Sequence, residues 1–354
     1  MVTRIEFENY RIFKQKQQFD IKPITIVFGK NNSGKTALLK LPSLVENLFK
    51  AFQTGIVSPK NNGVRLFHEY RDLIYGRATN EVRLSVTFDD KQTGTVDFHV
   101  DINKIVFESF KLGNHSMNRI DYIGPIRLTE PDLDVRITND DIVLSGIDGA
   151  NMYQVLLKDA ISDTPMVSSS VAQWYRDTFD GWYVDVDKSL QPVYNVIMRH
   201  DNGLKAPIND CGTGIIQSLP IVVRACSPCQ EPTLIVLEEP ETHLNPSAHA
   251  NLCQLISESA QKDKNKRYLI ETHSQTFILR LQYLLAAGKL NVDDVAIYFV
   301  HFDEEIGSSL LQKVEVNADG SIPNWPRGMF AEGLKEALAI NNIRNQMTRH
   351  ESNN

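Results

Sequence analysis

Residues 26–41 read IVFGKNNSGKTALLKL, and within them Gly29, Gly34, Lys35 and Thr36 complete the spacing G-x-x-x-x-G-K-[ST]. The chemistry this spacing serves is the binding of a nucleoside triphosphate. Glycines allow successive backbone N–H groups to turn inward toward phosphate oxygens. Gly29, Lys30, Asn31, Asn32, Ser33, Gly34 and Ala37 are therefore candidates for the cradle, together with Lys35 and Thr36. A lysine in this place reaches the β- and γ-phosphates, and the hydroxyl after it takes Mg²⁺. The N-terminus of the helix that follows adds partial positive charge at the same point.

Two later segments carry what such a loop requires. TLIVLEEPETHLNP, residues 233–246, is an apolar strand ending in Glu238 and Glu239. Glu238 is placed to take an Mg²⁺-bound water, and Glu239 to orient or deprotonate the water that attacks the γ-phosphate. RYLIETHSQ, residues 267–275, ends a second strand with Glu271, Thr272, His273 and Ser274. His273 suits a hydrogen bond to the γ-phosphate. A further anion site is implied by GTGIIQ, where Gly212, Thr213 and Gly214 open an apolar helix whose free N-terminus attracts negative charge. Arg127, in IGPIR, has two readings, a group facing the site or one arm of a salt bridge at the core edge or surface. Asp72, in FHEYRDLIYGR, is a candidate polar contact.

These residues need strands that end together, and the periodicity supplies them. Residues 2–28 alternate apolar and polar positions as a hairpin and finish in a buried strand, Ile24–Phe28; a helix follows over Thr36–Ala51, interrupted in its bonding by Pro42. Residues 81–112 have strand periodicity around DDKQTG, predicting an antiparallel layer against the nucleotide-binding core. Residues 122–141 read as an irregular crossing. Helices are expected over 151–161 and 170–179, and strands around 183–208. The last third alternates strand and helix as in a parallel sheet: strands at 234–237, 268–271 and 295–300, helices at 246–260 and 275–287. A hairpin over 310–322 and a terminal helix over 331–347 complete it. No repeat and no heptad insertion is present.

Composition narrows the class. The 354 residues, 42% hydrophobic and 23% charged, suit a soluble globular chain. No apolar run reaches the ~20 residues of a membrane helix, and the opening residues lack a signal peptide's apolar core, so the expected compartment is the cytoplasm. A net charge of −7 argues against a protein coated in nucleic acid, while leaving room for a local basic groove. Cys211, Cys226, Cys229 and Cys253 are expected as buried reduced thiols. CSPC has the spacing of half a zinc site or a redox pair, with no second pair to complete it.

Taken together, FGKNNSGKT, LIVLEEPETHLNP, IETHS, YIGPIR, GTGIIQSLPIVV and GSIPNWPRGMFAEGLKEAL resemble the ABC-type ATPases of the SMC, Rad50 and OLD group, most closely the compact bacterial AAA ATPases of the DUF3696 kind. The resemblance spans nearly the whole chain. It implies an α/β P-loop NTPase of the ABC-ATPase head type, with a mixed, mostly parallel core sheet flanked by helices and an antiparallel β layer. One domain, 1–354, would comprise an N-terminal lobe (1–120), an inserted helical and β region (121–210) and a C-terminal lobe (211–354).

By the same resemblance Lys35 and Thr36 take phosphate and Mg²⁺, Glu238 is the metal-side acid, and Glu239 the catalytic glutamate. Asn245 falls in the D-loop and His273 is the switch histidine. Residues 212–217 stand where a degenerate signature would cap the ATP γ-phosphate held by a second subunit, with Ile216 in place of a small hydroxyl residue. The implied protein is an Mg²⁺-dependent ATPase, a head-to-tail homodimer or larger oligomer, switching a separate nuclease or toxin effector in anti-phage defence. A nuclease of the OLD type would need an appended acidic domain, for which the residues after 300 leave no room. Two alternatives are a compact ATPase acting on DNA ends and a scaffold locked by ATP with little hydrolysis.

Overall fold

The computed structural model describes residues 1–54, 56–78, 81–101, 104–111, 118–128, 137–138, 142–189, 191–326, 329–330 and 339–340. The opening hairpin forms as expected from β1 (Val2–Glu8) and β2 (Gln17–Asp20), and it leads into β3 (Ile24–Gly29), every residue of which is buried. Helix α1 (Lys35–Thr54) runs on through Pro42. After the short pair β4 (Lys60–Asn61) and β5 (Val64–Arg65) come β6 (Val82–Phe88), β7 (Thr93–Asp101) and β8 (Lys104–Lys111). These join the hairpin in an antiparallel sheet of order β2-β1-β6-β7-β8.

The second sheet holds the site. It begins with β9 (Arg119–Ile123), a strand not expected from the sequence, whose last two residues open the segment read as an irregular crossing. Helices α2 (Asn151–Ala160) and α3 (Met166–Thr178) follow, α3 starting four residues before the sequence suggests. A small antiparallel sheet of β10 (Trp182–Asp187), β11 (Asn195–His200) and β12 (Lys205–Pro207) precedes α4 (Thr213–Cys226). Then strand and helix alternate: β13 (Thr233–Glu238), α5 (Pro246–Lys262), β14 (Lys266–Glu271), α6 (Gln275–Ala286), β15 (Val295–Asp303) and β16 (Ser308–Val314). The sheet order is β16-β15-β3-β14-β13-β9, parallel throughout except for β16.

The hairpin expected over 310–322 is corrected by this pairing. Residues 308–314 fold back on β15, with Asp303 opposite Ser308, and the tight turn at Asn317–Ser321 lies beyond the sheet. Most of the terminal helix expected over 331–347 lies outside the described residues. Trp325 and Phe330, from the NWPRGMF segment, stack on Phe28 of β3 with ring centroids 5.3 and 6.0 Å away.

Two-sided burial explains why the central strands are apolar without alternation. In β13, Ile235 and Leu237 face a core built with α2 to α6, whereas Leu234 and Val236 face a core shared with α1 and the antiparallel sheet. In β14, Tyr268 and Ile270 divide from Leu269 in the same way, as do Ile297 and Tyr298 in β15. The antiparallel layer thus covers one face and the helices the other. No helix among the described residues is long and apolar enough to cross a membrane. All four cysteines are free thiols.

Candidate functional site

The phosphate-type loop joins β3 to α1 at the C-terminal edge of the parallel sheet. Gly29 is required because a Cβ there would overlap the Val300 carbonyl oxygen. Gly34 has φ +105, and a Cβ would fall 2.7 Å from Ile12 Cδ1. Asn32 adopts φ +61, which asparagine tolerates. Lys35 is buried at 4% exposure and folds back over its own loop, donating to the Lys30 carbonyl at 3.0 Å. The Ser33 hydroxyl is buried with no hydrogen-bond partner among the described residues, as a group built to meet an external acceptor would be.

Three strand ends bring acids and a histidine to this loop. The register pairs Glu238 of β13 with Glu271 of β14, and Glu271 with Val27 of β3. Glu271 accepts from the Thr36 hydroxyl at 3.1 Å, and its other oxygen lies 3.6 Å from the Lys35 ammonium. Burial pushes the Glu271 carboxyl up to about 7, with neighbouring Glu238 adding to the rise and Lys35 opposing it. Glu238 is also buried and shifted upward, and it accepts a hydrogen bond from the Tyr122 hydroxyl on β9. Lys40, one turn along α1 from Lys35, is lowered by its own burial and feels both acids.

Glu239 follows the strand at φ +43 and is partly exposed; its backbone N–H donates to the Glu271 carbonyl at 2.9 Å, and its side chain accepts from Thr242. The His273 Nε2 sits 3.7 Å from Glu239 and 4.0 Å from Glu271. Burial, then Lys35, lowers the His273 pKa, so the imidazole is neutral near pH 7. Its backbone N–H donates to buried Glu241 at 2.7 Å, which also accepts from Thr272. Ligand atoms of Glu239, Glu271 and His273 lie within 4.8 Å of one another. A carboxylate-rich set beside a lysine and a hydroxyl fits an Mg²⁺-nucleotide, since hard cations prefer oxygen ligands.

Arg127 occupies a place the sequence did not resolve. It is 2% exposed, and no salt bridge to it is present among the described residues. One guanidinium nitrogen donates to the carbonyls of Glu238 at 2.9 Å and Glu239 at 2.7 Å, and another to the Gln217 carbonyl at 3.3 Å. The Gln217 side chain closes the link through the Arg127 backbone, accepting at 3.1 Å and donating at 3.0 Å. Burial lowers Arg127 to about 10, and it stays charged at neutral pH beside Glu241, Glu239 and Glu238.

The start of α4 meets the segment after Glu239. A Cβ on Gly214 would overlap the His243 carbonyl oxygen, so one of the paired glycines has a packing reason within its own chain; Gly212 faces open space. No hydrogen bond among the described residues links Gly212, Thr213 or Gly214 to the phosphate-type loop. Asn245 caps α5, accepting from the Ala248 N–H at 2.9 Å.

Beside the loop lies a cleft of about 550 Å³, lined by Lys35, Thr36 and Lys40 and by Arg11, Arg65 and Arg77. The 65–77 segment forms its far wall. Asp72 is spent on that wall, bonded to Arg77 at 2.5 Å and to the Glu69 N–H at 2.9 Å.

The fold is that of the P-loop ATPases of the SMC and ABC head type. An SMC head bound to the C-terminal winged-helix domain of ScpA superposes with TM-score 0.56 at 12% identity, covering 89% of this chain and 98% of that one. An SMC head with extended coiled coil, bound to the C-terminal domain of ScpA and derived from Pyrococcus furiosus, gives 0.55 at 11% identity, covering 97% and 99%. A family described as AAA ATPase domain matches residues 156–278, about a third of the chain. No curated protein matches the sequence.

Proposed function

We propose that this chain is an Mg²⁺-dependent ATPase, acting in the cytoplasm as a head-to-tail homodimer that switches a separate effector protein. One observation carries the ATPase reading. A buried lysine and a threonine hydroxyl from the loop meet Glu239, Glu271 and His273 at the ends of parallel strands. The arginine-rich cleft beside them supports binding of a polyanion there.

Lys35 would hold the phosphates, with Thr36 and the neighbouring acids taking the cation, whose charge offsets that of the triphosphate. Glu239, partly exposed and bonded to Thr242, is free to hold a water in line. His273, neutral, offers a donor to the terminal phosphate. The exposed, uncapped start of α4 at Gly212 supports the dimer reading, in which it faces the nucleotide of a second subunit. ATP switching of a partner is further supported by the similar SMC heads, which are bound to ScpA. The nuclease or toxin nature of the effector, and a role in antiviral defence, rest on the sequence resemblance alone.

The test is nucleotide binding and turnover by the full chain across protein concentrations. Lys35→Ala should abolish binding, and turnover per chain should rise with concentration. Unchanged binding by the variant overturns the site, and full turnover in a demonstrated monomer overturns the dimer. Copurification with and without ATP tests the effector.

A further inference from the structure

Glu271 contacts both working residues of the loop. Thr36 donates to one of its oxygens at 3.1 Å, and Lys35 lies 3.6 Å from the other. Its side chain is 5% exposed. The strand order accounts for this placement. Strand β14 lies between β13 and β3, and the register sets Glu238, Glu271 and Val27 level across the three. A side chain at the end of β14 therefore stands between the β13 acids and the loop. Glu238, one strand farther away, is hydrogen-bonded by the Tyr122 hydroxyl.

We propose that Glu271, with Thr36, is a protein ligand of the divalent cation that accompanies the nucleotide, and that Glu238 supports the site from behind without ligating. The assignment rests on the nucleotide reading above and follows from charge accounting. A buried carboxylate needs a positive partner, and here Lys35 provides it. A lysine that turns to phosphate oxygens leaves Glu271 without a cationic partner beside the added negative charge of the triphosphate. A divalent cation would remove both difficulties, since Glu271 and Thr36 would offer it the oxygen ligands that a hard ion prefers. The Thr36 hydroxyl already lies against the carboxylate that would share the ion with it. Glu271 is thus a positioning group for Lys35 before binding and a metal ligand after it. A purely structural anchor for Lys35 would serve the first role alone.

The experiment is titration of a fluorescent ATP analogue into the full chain, with excess chelator and with Mg²⁺, for wild type, Glu271→Gln and Glu238→Gln. Binding of Mn²⁺ in the presence of ADP is followed in parallel by electron paramagnetic resonance. Wild type should bind the analogue about tenfold or more tightly with Mg²⁺. Glu271→Gln should lose most of that gain and the bound Mn²⁺ signal, while its metal-free affinity stays level or improves. Glu238→Gln should keep clearly more of the gain than Glu271→Gln does. Glu271→Asp, which retains a carboxylate, should keep part of it, and this holds the test open if the glutamine variant does not fold. Full Mg²⁺ enhancement in Glu271→Gln overturns the assignment, as does its loss in Glu238→Gln alone. A wild-type chain that binds no nucleotide at all overturns the parent reading, an outcome distinct from the other two.

Discussion

Arg127 donates to the carbonyl oxygen of Glu239 at 2.7 Å, so the residue proposed to guide water is held through its backbone by a buried cation. The same guanidinium reaches Glu238 and Gln217, tying the end of β13 to α4. Removing it leaves three carbonyls short of a donor and opens a cavity. Arg127→Ala should lower stability by about 3 kcal/mol or more, read from denaturant unfolding, and reduce turnover in whatever fraction remains folded. Arg127→Lys keeps the charge without the planar fork and should recover only part of the loss.

Glu239→Gln preserves shape while removing the carboxylate. If Glu239 serves as general base, ATP turnover should fall by about 10²- to 10³-fold with nucleotide affinity little changed. The measurement is single-turnover hydrolysis beside equilibrium binding. A variant as fast as wild type would move the water-guiding role elsewhere and favour an ATP-locked scaffold.

The two glycines that open α4 should separate by substitution. Gly214→Ala forces a Cβ into the His243 carbonyl, and should destabilise by about 1–3 kcal/mol while displacing the 239–244 segment. Gly212→Ala meets no neighbour, and thermal unfolding should show a smaller loss, about 1 kcal/mol at most, from the poorer helix cap. Equal effects would mean that the close approach to His243 has slack.

Lys266 offers a pH test away from the site. It is 3% exposed, donates to the Ala225 carbonyl and Ser259 hydroxyl, and burial lowers its pKa to about 8 from 10.5. Between those two values the unfolded chain holds more protons than the folded one. Wild-type stability should therefore gain about 3 kcal/mol relative to Lys266→Met as pH rises through that window. Urea unfolding of both proteins at about pH 7 and about pH 11, just outside that window, measures the difference.

The sequence made the loop, the β13 acids and the β14 histidine legible because each follows a run of buried residues that only a two-sided strand explains. Strand β9 was hidden by its own centre, where Asp121, 1% exposed, interrupts the apolar pattern. Its partner Arg224 lies 2.5 Å away on α4, a compensation no local window reveals. The misplaced hairpin has a similar origin. NADG forms a genuine turn, but the strand before it pairs backward across EEIG, a weaker turn signal. Glu271 lay in plain view within IETHS. What the sequence lacked was the strand order, which sets that glutamate, ahead of Glu238, against the loop.

Because side chains in a strand alternate between faces, sliding β14 by a single position against its neighbours would present Ile270 or Thr272 where Glu271 now stands. The same slip would drive Ile270 and Leu269 each into the other's layer. Misalignment at the candidate site and disruption of both hydrophobic interiors would therefore be one event.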